Sequence, residues 1–174
     1  MKRLIIGISG ASGVGLGMKF IQALPKEIEK YIILSEHAHV VLHKEENNFL
    51  LNNEDIGAIT ASGSFKSDGM VIIPCSMNTL AKISYGIADN LITRTAAVML
   101  KEKRPLLLAP REMPFSPIAL ENMLKLSRLG VTIAPPVLGY YADVKTLDAM
   151  EDFLIGKWFD LLGIEHTLFK RWEG

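Results

Sequence analysis

The sequence predicts an α/β fold: a single-domain, Rossmann-like (flavodoxin-like) doubly wound parallel sheet flanked by helices. Three observations carry this. Short apolar runs bounded by glycine, proline or small polar residues recur along the chain, as strands buried on both faces of a parallel sheet do. Longer segments with an apolar stripe alternate with them, as crossover helices do. A chain of 174 residues, 49% of them hydrophobic, buries one real core and is too short for two ordinary domains.

Leu4 to Ile8 reads as the first strand. Gly10 to Gly13 forms a glycine-serine turn opening a helix over Val14 to Leu24, ahead of Pro25. Gly10, Gly13, Gly15 and Gly17 fit several glycine templates, so the dinucleotide-binding pattern is only loosely met. The turn supports an anion held by backbone N–H groups and the Ser12 hydroxyl, with a plain helix start as the alternative. Tyr31 to Leu34 is the second strand, and Ser35 either caps the polar helix Glu36 to Glu46 or touches a ligand. His39 and His43 stand at i,i+4 on that helix, near His37. No third metal ligand follows at a recognisable spacing, and Glu36, Lys44, Glu45 and Glu46 read as a solvated face, so no metal site is expected. Asn47 to Asp68 reads as a long polar loop whose Phe65 either faces the site or packs in the core.

Met70 to Ile73, closed by Pro74, is the central buried strand, and the sequence is organised around it. Ser76, Asn78 and Thr79 follow, either capping the next helix or offering hydroxyl and amide groups to a ligand across the strand's carboxyl end. Gly86 to Asn90 breaks the chain before a helix over Leu91 to Lys103, capped by Asn90. Arg94 in its first turn opposes the helix dipole, which implies an anionic partner. Leu106 to Ala109 is the fourth strand, with Arg111 and Glu112 at its carboxyl end. Ser116-Pro117 starts a helix whose Leu120, Met123, Leu124 and Ser127 are expected to face inward, up to the Gly130 stop. Val131 to Ile133 is a fifth strand, followed by a loop stiffened by Pro135 and Pro136 that ends in Tyr140 and Tyr141. The last helix runs from a Thr146 cap to about Leu162, with Leu147, Met150, Leu154, Trp158 and Leu161 on one side and Lys157 beside them. Trp172 in the tail is expected to pack on a neighbouring surface or subunit.

Lysine plus arginine equal aspartate plus glutamate at 19 each, so the basic excess of a nucleic-acid or anionic-membrane binder is missing. The single cysteine, Cys75, excludes an internal disulfide and fits a reducing compartment. With no histidine in its motif, Cys75 reads as a packing residue. Lys2-Arg3 precedes an apolar run that Gly7, Ser9 and Gly10 break at once, and no stretch approaches the ~20 apolar residues of a spanning helix. The expectation is a cytoplasmic protein acting on small molecules or binding copies of itself.

Three segments, Gly7-Ile8-Ser9-Gly10-Ala11-Ser12-Gly13, Gly69 through Ile83 and on to Arg94, and Pro110-Arg111-Glu112-Met113-Pro114, together resemble the UbiX flavin prenyltransferase family. The resemblance covers nearly the whole chain, in the family's order and spacing. It implies transfer of the dimethylallyl group of dimethylallyl monophosphate to reduced FMN, closing a fourth ring and releasing phosphate. The prenylated FMN then serves a UbiD-type decarboxylase. It also implies a metal-independent reaction and a homododecamer with FMN near subunit interfaces.

Residue by residue, Gly10, Ala11 and Ser12 match the family's FMN-binding turn, Ser35 its serine after the second strand, and Ser76, Met77, Asn78 and Thr79 its flavin loop. Arg111 matches the arginine of its Pro-Arg-Glu motif and counts toward both FMN and substrate binding. Tyr141 resembles the tyrosine that holds the prenyl phosphate, with Lys101 and Arg94 as nearby basic residues. Glu112 and Glu45 resemble the proton-transferring carboxylates, and Ser12 also acts on the flavin ring. Lys157 stands where the family usually has arginine, which keeps the charge and loses the bidentate clamp. Gly139-Tyr140-Tyr141 varies the usual aromatic pair. The cations Lys101, Arg94, Arg111 and Lys157 exceed what one flavin phosphate needs, so a second phosphate is inferred. Two other readings stay open: a flavin-dependent decarboxylase of the phosphopantothenoylcysteine type, which shares the fold and a Pro-x-x-x-Asn loop, and a non-catalytic FMN carrier.

Overall fold

The computed structural model describes residues 1–10, 12–35, 47–140 and 145–171. The chain divides into two compact units, Met1–Pro135 and Pro136–Gly174. The predicted helix Glu36 to Glu46, with its three histidines, lies outside the described residues, as do Ala11, Tyr141 and Trp172.

In the first unit, strands β1 (Arg3–Ile8), β2 (Glu29–Leu34), β3 (Asn48–Asn52), β4 (Gly69–Cys75), β5 (Leu106–Pro110) and β6 (Thr132–Ile133) alternate with helices α1 (Val14–Ala23), α2 (Met77–Ser84), α3 (Leu91–Lys101) and α4 (Pro117–Arg128). All pairings are parallel, in the order β3-β2-β1-β4-β5-β6. The expected five strands are therefore six. Asn48–Asn52 falls inside the predicted loop, yet it pairs in register with Lys30–Leu34 as an edge strand. Its Phe49 and Leu50 are exposed, so it lacks the two-faced burial that marks the central strands. Without β3, the order is that of a flavodoxin-like sheet; with it, the order is the Rossmann one.

β1, β4 and β5 are buried on both faces because parallel strands need crossover helices, which cover them. Ile5, Ile33, Met70, Ile72 and Leu108 join Leu80, Leu91, Met99, Met123 and Leu126 from α2, α3 and α4 in one core cluster. On the other face α1 lies so close that a Cβ on Gly17 would fall 2.4 Å from the Ile73 carbonyl oxygen.

Two helices are rotated from their expected phase. On α4 the buried residues are Ala119, Asn122, Met123 and Leu126, while Leu120 and Leu124 are exposed. The reason is polar: the Asn122 amide oxygen accepts a 2.8 Å hydrogen bond from the buried Ser84 hydroxyl, tying α4 to α2. In the second unit, α5 (Leu147–Leu162) buries Phe153, Leu154, Ile155, Trp158 and Phe159, leaving Leu147 and Leu161 exposed. Its cap is the expected Thr146, whose Oγ1 accepts from the Ala149 N–H at 3.2 Å.

The amino edge of the sheet is stitched shut. Asp68 accepts from the Lys2 and Arg3 amides at 2.7 and 2.8 Å. The Arg3 amide bond, ahead of that from Lys2, holds the Asp68 carboxyl below its ordinary range. Arg104 donates to the carbonyls of Phe65 and Gly63 at 2.6 and 2.7 Å. Phe65 packs edge-on against Tyr31 at 4.9 Å beneath Arg3, so it belongs to this end and not to the ligand edge. Among the described residues, no helix is long and apolar enough to cross a membrane.

Candidate functional site

The sheet order reverses between β1 and β4, and a crevice opens outside their carboxyl ends, where open α/β sheets bind ligands. A cavity of about 330 Å³ lies there, lined by Ser9, Gly10, Ser12, Pro74, Cys75, Ser76, Met77, Arg111 and Glu112. A larger one, about 610 Å³, opens at the opposite edge beside Arg104, Pro105, Leu129 and Thr132. The chemistry favours the smaller: Arg104 is already committed to two carbonyls, whereas hydroxyls, amides and free charges converge at the switch point.

Three loops build the site. After β1, Gly10 and Gly13 take φ of +93° and +89°, a region costly for side chains, and Gly13 caps α1 with no side-chain bond. The Leu16 N–H turns back to the Gly13 carbonyl at 3.1 Å, whereas the Val14 and Gly15 amides have no acceptor among the described residues, and the helix dipole favours an anion there. Ser35 after β2 accepts from the Gly10 N–H at 3.3 Å and so holds the turn. After β4, Ser76 accepts from the Thr79 N–H at 3.2 Å and donates to the Thr79 hydroxyl at 3.0 Å. Both readings of Ser76 thus meet in one residue: it lines the cavity, but its hydroxyl is occupied as the α2 cap. Asn78 is exposed beside it, and Thr79 is buried.

Ser9, to which the sequence reading gave no role, is buried here. Its Oγ accepts from the Ser76 N–H at 3.0 Å and donates to the Pro74 carbonyl at 3.4 Å, joining the β1 and β4 loops. The only advance signal was its place between Ile8 and Gly10 at a strand's carboxyl end.

After β5, the Arg111 side chain crosses Gly13, where a Cβ would lie 3.4 Å from Arg111 Cδ. Its guanidinium has no carboxylate partner among the described residues. Glu112, exposed beside it, accepts from the Met113 N–H at 3.0 Å and does not pair with Arg111. The two charges remain separately available at one rim.

The other predicted residues are not gathered here. Arg94 is exposed in the first turn of α3, with no carboxylate partner among the described residues. Lys101 lies at the far end of α3, at the amino edge, paired with Glu102. Lys157 is in the second unit, with its Nζ 4.0 Å from Asp160. Glu45, Ala11 and Tyr141 lie outside the described residues. Among the described residues, no three of His, Cys, Asp and Glu group as metal ligands do.

Burial pushes the Cys75 thiol up to about 12, so it stays protonated at neutral pH although it borders the cavity. Cys75→Ala should keep FMN binding and most turnover, and the native protein should resist thiol-labelling reagents. Rapid labelling that parallels loss of activity would contradict this.

The residues fit FMN: a left-handed glycine turn, an uncapped helix N-terminus for phosphate and a guanidinium at the rim are groups a flavin nucleotide needs. The comparisons agree. Residues 1–158 match the family model described as Flavoprotein. The chain is 53% identical to the flavin prenyltransferase UbiX of Helicobacter pylori, over 98% of both chains. It is similar to the dodecameric FMN-dependent UbiX-like decarboxylase of Escherichia coli O157:H7, with TM-score 0.91 and 42% identity over 99% of this chain and 100% of that one. It is also similar to AnUbiX (PadA1) in complex with FMN and dimethylallyl pyrophosphate, with TM-score 0.92 and 38% identity over 99% and 98% of the two chains. The chain belongs to the flavoproteins and, among them, to the UbiX flavin prenyltransferase family.

Proposed function

We propose that this protein transfers a dimethylallyl group from dimethylallyl phosphate to reduced FMN, without a metal, and supplies prenylated FMN to a UbiD-type decarboxylase. The observation that carries the reading is the switch-point cavity, with an open helix N-terminus on one side and, on the other, Arg111 and Glu112, which do not pair with each other. FMN supplies the nucleophilic ring when bound. Gly10, Ala11, Ser12, Ser35 and the Ser76 to Thr79 loop hold it, and Arg111 adds charge. Breaking the allylic carbon–oxygen bond leaves negative charge on the departing phosphate, which fixed cations stabilise. Arg111, Lys101 and Lys157 serve that anion with Tyr141, Arg94 adds charge nearby, and Glu112, Glu45 and Ser12 move protons.

Within one copy Lys101 and the cavity stand at opposite edges of the sheet. We read Lys101 as acting on a neighbouring copy's cavity in an assembly, and the Escherichia coli relative's dodecamer supports assembly. The family match over residues 1–158 crosses the boundary between the two units, which supports treating the whole chain as one flavoprotein domain. A lone buried cysteine fits the cytoplasm.

One relative is described as a decarboxylase, so the assay must separate the two activities. Purified protein with reduced FMN and dimethylallyl phosphate, kept anaerobic, should release phosphate and yield a flavin heavier by the prenyl group. Dimethylallyl pyrophosphate serves as the second donor. Carbon dioxide release from a phosphopantothenoylcysteine-type substrate without flavin modification would favour the decarboxylase. FMN binding with neither product would leave a carrier.

A further inference from the structure

The second unit holds a charge cluster centred on one carboxylate. α5 ends at Gly163 in a left-handed cap, and the chain returns along the helix. Gly156 makes room for it: a Cβ there would lie 2.5 Å from the Phe169 ring and 2.7 Å from that of His166. Phe169 also packs on Phe153, with ring centres 5.0 Å apart. This brings two tail residues onto Asp160. Arg171 Nη2 donates to Oδ1 at 2.8 Å and its Nη1 to Oδ2 at 3.3 Å. His166 Nε2 lies 3.2 Å from Oδ1, and the Leu168 N–H donates to Nδ1 at 3.2 Å, so Nε2 carries the proton toward Asp160. The Lys157 ammonium, one turn earlier on α5, is 4.0 Å from Oδ2.

These contacts are graded. The tail's fork covers both oxygens of Asp160, the imidazole takes a second position on Oδ1, and the lysine is left at the outer limit of an ion pair. Asp160 is ionised, held low first by the Arg171 bond and then by His166. An arginine at 157 can hold a neighbouring carboxylate and a ligand with different N–H groups; a lysine offers one point charge, for which the two compete. Lys157 is half exposed and within reach of a strong competitor.

We propose that Arg171, assisted by His166, is a positioning residue for Lys157: by occupying Asp160, the tail keeps that carboxylate from capturing the lysine, which stays free for the phosphate of the prenyl donor. This rests on the reading of Lys157 as a phosphate-binding residue. The tail is thereby the element that makes lysine workable at this position.

The test is steady-state kinetics on the full chain with FMN and dimethylallyl phosphate. Arg171→Ala should raise the KM for the donor about two- to fivefold, the scale of an exposed ion pair, with kcat and FMN affinity little changed. Arg171→Gln keeps the stem and a hydrogen bond and should do the same. Asp160→Asn should leave the KM unchanged or lower and, combined with Arg171→Ala, should abolish the increase, because no carboxylate is left to capture Lys157. An equal KM increase in the Asp160→Asn background, or a lowered Tm with unchanged KM for both Arg171 variants, overturns the proposal. Lys157→Ala separates the two levels. If it leaves the donor KM unchanged, the phosphate-binding reading itself fails; if it raises KM while Arg171→Ala and Arg171→Gln do not, only this inference fails.

Discussion

Replacing Glu112 by glutamine should slow turnover by about 10²–10⁴-fold, the usual worth of a positioned acid or base, while both ligands still bind. Glu112 stands at the cavity rim with one oxygen engaged by its own neighbour's amide, so the other is free to take or give a proton. It does not pair with Arg111, and it repels phosphate, so it does not serve as a phosphate-binding group. Glutamine keeps the shape and the amide contact and loses only the titratable group. Arg111→Ala is the comparison: it should weaken flavin or donor binding, with the loss partly offset at high ligand concentration. Single-turnover rates across pH, beside FMN affinity, distinguish the two. Wild-type rates for Glu112→Gln at every pH would remove Glu112 from proton transfer.

Gly17→Ala should be the most damaging one-carbon change. The added methyl would meet the Ile73 carbonyl oxygen at 2.4 Å, and neither the helix backbone nor the central strand can rotate away. Alanine's helix propensity gains at most about 1 kcal/mol, against about 1–3 kcal/mol or more for forced overpacking, so the net sign is loss. At about 2–4 °C per kcal/mol for a chain of this size, the Tm should fall by several degrees. FMN affinity should fall too, because α1 carries the open amides. Gly15→Ala is the control: nothing lies within 4 Å of its Cβ, so its Tm should hold or rise. Equal melting of both variants would refute the close-contact argument.

Much of this was readable in the chain. Buried strands announce themselves through continuous apolar runs, and the caps Ser76, Asn90, Ser116 and Thr146 all stand where the sequence put them. β3 was hidden because its apolar run, Phe49 to Leu51, is only three residues long and stands between asparagine pairs in a polar stretch. The phase of α4 was hidden because its inward residue Asn122 is polar and makes sense only beside Ser84, 38 positions earlier. That Gly10, Ser12, Ser76 and Arg111 line one cavity was legible from their places in loops at strand ends. Ser9 was not, since its task depends on the distant Pro74 carbonyl. The separation of Lys101 from the cavity was readable and was missed: a helix end that runs straight into a parallel strand lies at that strand's amino end, opposite the ligand edge.

Four helices of the first unit begin at the same sheet edge, yet only α1 starts without a side-chain cap. Ser76 closes α2, Ser116 closes α4, and α3 is closed twice, by Asn90 and by Asn53, whose Oδ1 accepts from the Ile92 N–H at 3.1 Å. For a lineage drifting by single substitutions, this redundancy matters. Loss of Asn90 would still leave Asn53 on the start of α3, so no single step opens a rival phosphate berth there. Sequence drift can reshape the rim residues Arg111 and Glu112 while the helix start left open to an anion stays at α1.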